Sequence, residues 1–281
     1  MAIGISVHIG VNRVNAAHYG APFALRGCEN DALAMADIAR HHGYDTQPPL
    51  LGPQATSTNV INAISQAAAK LDEGDTFFLT FAGHGSQVPG NPVPGDEEED
   101  EAWALYDRFL IDDELRDLWA KFRPGVRVLV VSDSCHSGTI IELLTRMFRT
   151  TKISDAIAAD PPVHPRVIPL SVAASVYKEH LDLYRGIQHR VRGAHDTALG
   201  VSLLLLAACG DREQTPDGDP NGLFTAEIIQ AWQGGKFPGN YTEFWEVVQT
   251  GVMADSPYQQ PVYYALGVAN PAWYQSKVFS I

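Results

Sequence analysis

Cysteine is scarce: the 281 residues hold three, at positions 28, 135 and 209, with no CxxC pair. So sparse and odd a set fits neither a disulfide framework nor a thiolate zinc site, and leaves at least one thiol unpaired within a monomer. Basic residues are also few, 20 against 33 acidic ones, for a formal charge of -13. That balance works against phosphate backbones, so nucleic acid is not an expected partner, and it favours basic ligands or cations. Long apolar runs are missing too. The longest beyond the first strand, Val201 to Cys209, falls far short of the roughly 20 residues a membrane helix needs, so no membrane partner is expected. The opening MAIGISVHIGVN has no basic stretch ahead of its apolar residues. It reads as a first strand, not an export signal, and the expectation is a soluble, cytoplasmic protein.

What is present is ample core material, 45% hydrophobic and 9% aromatic, without the profile of a disordered chain. Apolar runs at Ile3 to Val11, Thr76 to Ala82 and Val126 to Ser132 alternate with helical patterns at Asn30 to His42 and Thr58 to Leu71. This order predicts an α/β fold, a mainly parallel central sheet with helices on both faces. FFLTF and VRVLVV are nearly continuous in apolarity and should be central. A second block continues the sheet: a strand in VSLLLLAA, helices in LFTAEIIQAW and YTEFWEVVQTG, and a last strand near Val262 to Gly267. We read residues 1–281 as one domain, with a first block over 1–149, a linker or insertion without assigned regular structure over 150–196, and a second block over 197–281.

Two motifs sit where ligands bind in such folds, at the carboxyl ends of strands. In FAGHGSQ the strand FFLTF runs into Gly83, His84 and Gly85. In SDSCHSG the strand VRVLVV runs into Asp133, Ser134, Cys135 and His136. A thiol nucleophile needs a base within hydrogen-bond reach, and neighbouring parallel strands ending on one edge would bring His84 and Cys135 together. Cys135 follows His84 by 51 positions, close to the caspase spacing of about 50. A polar DSCHSG at the end of an apolar strand suits an exposed loop better than a core, whereas Cys28 and Cys209 read as small hydrophobes. His136 is a poor alternative base, because adjacent residues rarely aim at one substrate. His41 and His42 are assigned no chemistry.

LRGCEND, FAGHG and DSCHSG, in this order and separation, resemble the bacterial metacaspases of the caspase superfamily. AACGDREQT, NGLFT and YQQP more weakly resemble that family's small-subunit region. The resemblance implies a caspase-like (caspase-hemoglobinase) fold and a cysteine endopeptidase that cuts after Arg or Lys through a Cys-His dyad and a thioester. On it, His84 and Cys135 are catalytic, and the backbone amides of Gly85 and Cys135 form the oxyanion hole. Asp31 and Asp133 line the pocket for the basic side chain, where two carboxylates would bind a guanidinium through charge-assisted bonds. Ala82 departs from the family pattern, which often has serine there.

The resemblance further implies calcium, held by Asp100, Asp112, Asp113 and Glu142 from GDEEEDEAW, IDDEL and beyond. Hard oxygen ligands suit that ion, but no EF-hand spacing is present, and an acidic loop plus an Asp-rich helix start would explain the same residues. It implies self-cleavage near the junction of the blocks, with Arg146, Arg149, Lys152 and Arg166 as candidates, and a monomer whose partners are protein or peptide substrates. The alternative from another class is a catalytically silent caspase-like binding or adaptor module.

Overall fold

The centre of the molecule is built from the apolar runs. In the computed structural model, which describes residues 2–90, 99–135, 165–191, 198–209, 216–257 and 259–281, strands β1 (Gly4–Gly10), β4 (Thr76–Ala82), β8 (Arg127–Asp133) and β9 (Ser202–Ala207) lie side by side and parallel. Two short strands, β2 (Asp45–Thr46) and β3 (Leu50–Leu51), pair with β1 on its outer side, and β10 (Val262–Gly267) closes the other edge antiparallel to β9. The order β10-β9-β8-β4-β1-β2 makes the FFLTF and VRVLVV strands central, as their composition predicts.

A strand covered on both faces must be apolar on both, because successive side chains alternate between them. Phe77, Leu79, Phe81, Val128 and Val130 pack with Val60 and Ile64 of α3 (Ser57–Lys70) and with Leu115 and Leu118 of α4 (Asp112–Trp119). Their neighbours in sequence, Phe78, Leu129 and Val131, join Leu204 and Leu206 on the opposite face. They pack there with Met35 and Ile38 of α2 (Cys28–His41), Phe224 and Ile228 of α7 (Leu223–Trp232), and Phe244 and Val248 of α8 (Tyr241–Asp255). The result is three layers, helix on sheet on helix. Short helices α1 (Ala16–Tyr19) and α9 (Pro271–Tyr274) complete the connections. Among the described residues no helix is long and apolar enough to cross a membrane.

Two features depart from the sequence reading. A second, antiparallel sheet of β5 (Gly85–Pro89), β6 (Glu99–Ala104) and β7 (Phe109–Ile111) follows His84 directly. The acidic run read as a loop thus ends as strand β6, where Asp100 and Glu101 are buried beside Ala102 and Trp103. The segment 150–196, read as a linker without regular structure, holds α5 (Leu170–Glu179) and α6 (Leu181–Val191) among its described residues. Their buried faces, Ala173, Val176 and Tyr177, then Tyr184, Ile187 and Val191, recur at helical spacing, a stripe masked by the polar residues between.

Candidate active site

The sheet register sets the geometry. Ala82 pairs with Asp133 at the carboxyl ends of β4 and β8, so His84 and Cys135 each stand two residues beyond a matched pair on adjacent strands. The strands stay close past the ladder, the Gly83 amide donating to the Asp133 carbonyl at 3.3 Å. Gly85 is needed for the next step: a Cβ there would lie 1.7 Å from the Cys135 carbonyl oxygen. Only a residue without a side chain lets the two loops meet.

His84 is held from behind. Its Nε2 donates to the Phe23 carbonyl at 2.8 Å, and the Phe23 ring meets the imidazole edge-on. That bond fixes the tautomer with the proton on Nε2 and leaves Nδ1 as the lone-pair nitrogen. Nδ1 is buried and has no hydrogen-bond partner among the described residues. Phe23 itself is at φ 40, a left-handed conformation unusual for an aromatic residue. Burial pulls the imidazole down to about 4, against the opposing pull of the Phe23 bond, so the ring is neutral near pH 7 and ready to accept a proton. None of the three cysteines, all buried, is in a disulfide.

Beside this pair an arginine of the same chain fills a wholly buried acidic pocket. Arg166 is 0% exposed, and its guanidinium faces Asp31 at 2.6 Å, Asp133 at 2.9 Å and Asp217 at 3.1 Å. Each carboxylate is positioned by the second half of the fold or by the loop before α2. Asn221 Nδ2 and the Gly222 amide donate to Asp31, the Thr225 amide and hydroxyl to Asp133, and the amides of Arg26 and Gly27 to Asp217. Two glycines form walls: a Cβ at Gly222 would come within 2.5 Å of the guanidinium, and one at Gly27 within 3.0 Å. Burial opposes the charge on Arg166, but Asp133, Cys28, Asp31 and Asp217 outweigh it and push its pKa well above the ordinary value. Burial likewise raises Asp31 to about 6, the nearby Asp133 charge adding to the rise while Arg166 opposes it.

The backbone of the same arginine is equally constrained. Its carbonyl oxygen accepts from the Gly85 amide at 3.0 Å and the Cys135 amide at 3.2 Å. The chain then runs along the free side of β5, with Val167 bridging Gly85 in parallel, the Ile168 amide donating to the Gly85 carbonyl at 3.0 Å and Ser86 Oγ donating to the Ile168 carbonyl at 2.9 Å.

The structure therefore brings together His84, Cys135, Gly85, Asp31 and Asp133. Arg166, singled out in the sequence as a basic residue near the junction, also sits in this pocket, whereas the other residues singled out there that the structure describes lie elsewhere. Asp112 and Asp113 are buried at the start of α4, and Asp100 on β6 accepts from Gln188 of α6 at 2.8 Å. Among the described residues no three His, Cys, Asp or Glu form a group that could hold a metal ion; Glu142, Arg146, Arg149, Lys152 and His136 lie outside the described residues. His42 pairs with Trp232 on the far side of α2. Ala82 packs against Leu25 and Cys28 under the pocket floor. Sequence reasoning missed Phe23, Asp217 and the two wall glycines. NGLFT was seen only as a segment, yet its Asn221, Gly222 and Thr225 clamp both pocket carboxylates.

The caspase domain model matches residues 9–270. Metacaspase-1B of Aspergillus fumigatus is 33% identical over 153 residues, 48% of this chain and 35% of the relative. Metacaspase-4 of Arabidopsis thaliana is 32% identical over 147 residues, 49% of this chain and 34% of the relative. The chain thus spans about a third of the length of the curated relatives it matches. The crystal structure of protein GSU0716 from Geobacter sulfurreducens is similar over 99% of this chain and 98% of that one, with a TM-score of 0.82 and 35% identity.

Proposed function

Because this chain belongs to the caspase-domain family of cysteine peptidases, we propose that it is an endopeptidase cutting peptide bonds after arginine or lysine, with Cys135 as nucleophile and His84 as base. The observation that carries the reading is the seating of Arg166. A basic side chain lies among three carboxylates while its carbonyl oxygen rests on two backbone amides beside the cysteine. A substrate arginine in that pose puts its carbonyl carbon next to Cys135, and the Gly85 and Cys135 amides receive the charge that grows on the oxygen. Nδ1 of His84 takes the thiol proton and returns it to the leaving amine, and water then releases the acyl group from sulfur. The Phe23 carbonyl holds the ring in the orientation this requires and stabilises it once charged. Lysine reaches the same acids as a point charge but cannot match the fork of contacts a guanidinium makes, so arginine is the better substrate.

The test is hydrolysis of matched fluorogenic peptides ending in Arg, Lys or Asp, with and without calcium, using Cys135→Ala as control. Cleavage after Arg, more slowly after Lys, and abolished in the variant is expected. Cleavage after Asp would overturn the pocket assignment, and no cleavage under any condition would leave the binding-module alternative. The calcium arms decide whether Asp100, Asp112, Asp113 and Glu142 have the cation role that the family resemblance suggests.

A further inference from the structure

Trp103 touches both loops that carry the proposed catalytic pair, and does so with different atoms. Its backbone pairs with Gly85 in the β5–β6 ladder, and the next amide, that of Ala104, donates to the His84 carbonyl at 2.9 Å. Its indole lies flat on Phe81, centroids 4.5 Å apart, and Phe81 is the residue that β4 sets opposite Ser132 of β8. The ring therefore reaches the neighbouring strand, where Nε1 donates to Ser132 Oγ at 3.1 Å. The Ser132 and Ser134 hydroxyls pair in turn at 3.2 Å. Ser134 immediately precedes Cys135. Its carbonyl accepts from the Cys209 thiol at 3.5 Å, and its Oγ stands 3.5 Å from where a Cβ at Gly85 would lie. Trp103, Ser132 and Ser134 are all buried.

We propose that Trp103, Ser132 and Ser134 form a brace that fixes the spacing of the two oxyanion amides; this rests on the peptidase reading above. The β4–β8 ladder ends at Ala82 and Asp133, short of both amides. Yet the amides of Gly85 and Cys135 must converge on one oxygen, as they do on the Arg166 carbonyl at 3.0 and 3.2 Å. Donors aimed at developing charge are effective because they are held in place before the reaction begins. Trp103 supplies that hold: its main chain sets Gly85, and its indole, through two hydroxyls, sets the residue before Cys135. A buried hydroxyl at the end of the apolar run Val128 to Val131 needs a partner, whereas an apolar side chain would fill the place without one. What the hydroxyl adds is a directional link. The pocket acids are anchored separately, Asp31 by Asn221 and Gly222, and Asp133 by Thr225. Loosening the brace should therefore weaken the transition state and spare the binding of arginine. The three are positioning residues, acting through the two amides.

Two variants and two inhibitors test this. Trp103→Phe keeps a ring on Phe81 and loses the indole N–H, while Ser132→Ala removes the middle hydroxyl. In each, kcat for an arginine peptide is expected to fall about tenfold, part of the roughly hundredfold or greater loss that follows removal of a whole oxyanion donor, with KM unchanged. A peptide arginine aldehyde should lose affinity to the same degree. Cys135 Sγ adds to its carbonyl carbon, the thiol proton passes by way of His84 to the oxygen, and that oxygen rests on the two amides. Benzamidine, a cation for the acidic pocket alone, should bind as it does to the wild type. Because the indole acts through the hydroxyl, the double variant should lose no more than the worse single variant. A general loss of stability would instead move KM, benzamidine affinity and kcat together, and the two losses would multiply. Urea unfolding checks that each variant is folded, and an unfolded Trp103→Phe leaves Ser132→Ala to decide. Unchanged kcat in a folded variant, or a parallel fall in aldehyde and benzamidine affinity, would overturn the brace while leaving the peptidase reading in place. A wild type that hydrolyses no peptide would overturn both.

Discussion

A single hydrogen bond, from His84 Nε2 to the Phe23 carbonyl at 2.8 Å, leaves Nδ1 as the nitrogen able to act as the proposed base. Burial holds that ring near 4 and Asp31 near 6, so the two groups should separate on the acid side. As pH falls, Asp31 takes up its proton first and loses the charge that attracts a substrate arginine, while His84 is still neutral and able to accept a proton. The expected outcome is that KM for an arginine peptide rises several-fold between about pH 7 and about pH 5 with kcat nearly constant, and that kcat falls only nearer 4. Kinetics over that range check it, and a fall in kcat through 6 at constant KM would reverse the assignment. The sign follows from the direction of the shifts: a raised carboxyl is lost as a charge in mild acid, whereas a lowered imidazole gains its charge only in stronger acid.

At the scale of elements, the site is a consequence of two strands ending in register and one glycine that lets the chain beyond them close up. That glycine is Gly85 at the start of β5, where added bulk would overlap the Cys135 carbonyl. Gly85→Ala is therefore expected to push β5 away from the nucleophile loop. That shift should reduce kcat/KM at least a hundredfold by spoiling the oxyanion donors, and lower unfolding stability by about 1–3 kcal/mol through overpacking. Peptide kinetics with urea unfolding would test both parts. A near-normal enzyme would mean that the close approach is relaxed in solution. The strand pairing β4–β8 brings no such sensitivity to Ala82, which sits in a small apolar cluster with Leu25 and Cys28 and touches the site only through its place in the strand.

The whole molecule adds a field to this pocket. With 33 acidic and 20 basic side chains the chain carries -13, so a basic peptide approaches down a favourable potential, strongest at low salt. Raising sodium chloride from ~0.02 M to ~0.5 M should reduce kcat/KM for an arginine peptide several-fold, mainly through slower association, while kcat stays nearly level because the buried pocket is poorly screened. An uncharged reporter group on the peptide keeps the comparison clean, and salt independence of kcat/KM would show that local contacts alone recruit the substrate.

The sequence by itself determined the parts whose signal is local. Continuous apolar runs marked the central strands. Helical spacing marked α2, α3, α7 and α8. A glycine-flanked histidine and a cysteine 51 positions apart, each just past such a strand, marked the residues proposed as base and nucleophile. Asp31 and Asp133 were reached through the resemblance of LRGCEND and DSCHSG to the metacaspase motifs. What only the tertiary structure decided depends on groups far apart in the chain or on backbone atoms that carry no residue signature. Phe23 acts through a carbonyl any residue could offer, and Gly27 and Gly222 act by lacking bulk. Asp217 lies in irregular backbone, and joins Asp31 at the Arg166 guanidinium only because the loop before α7 folds back onto the start of α2. Among the basic residues near the junction nothing in the sequence distinguished Arg166. Its distinction is positional: a strand-like stretch beside β5 aims the side chain into the acids and the carbonyl at two amides, a placement set by pairing across the fold rather than by neighbours in sequence.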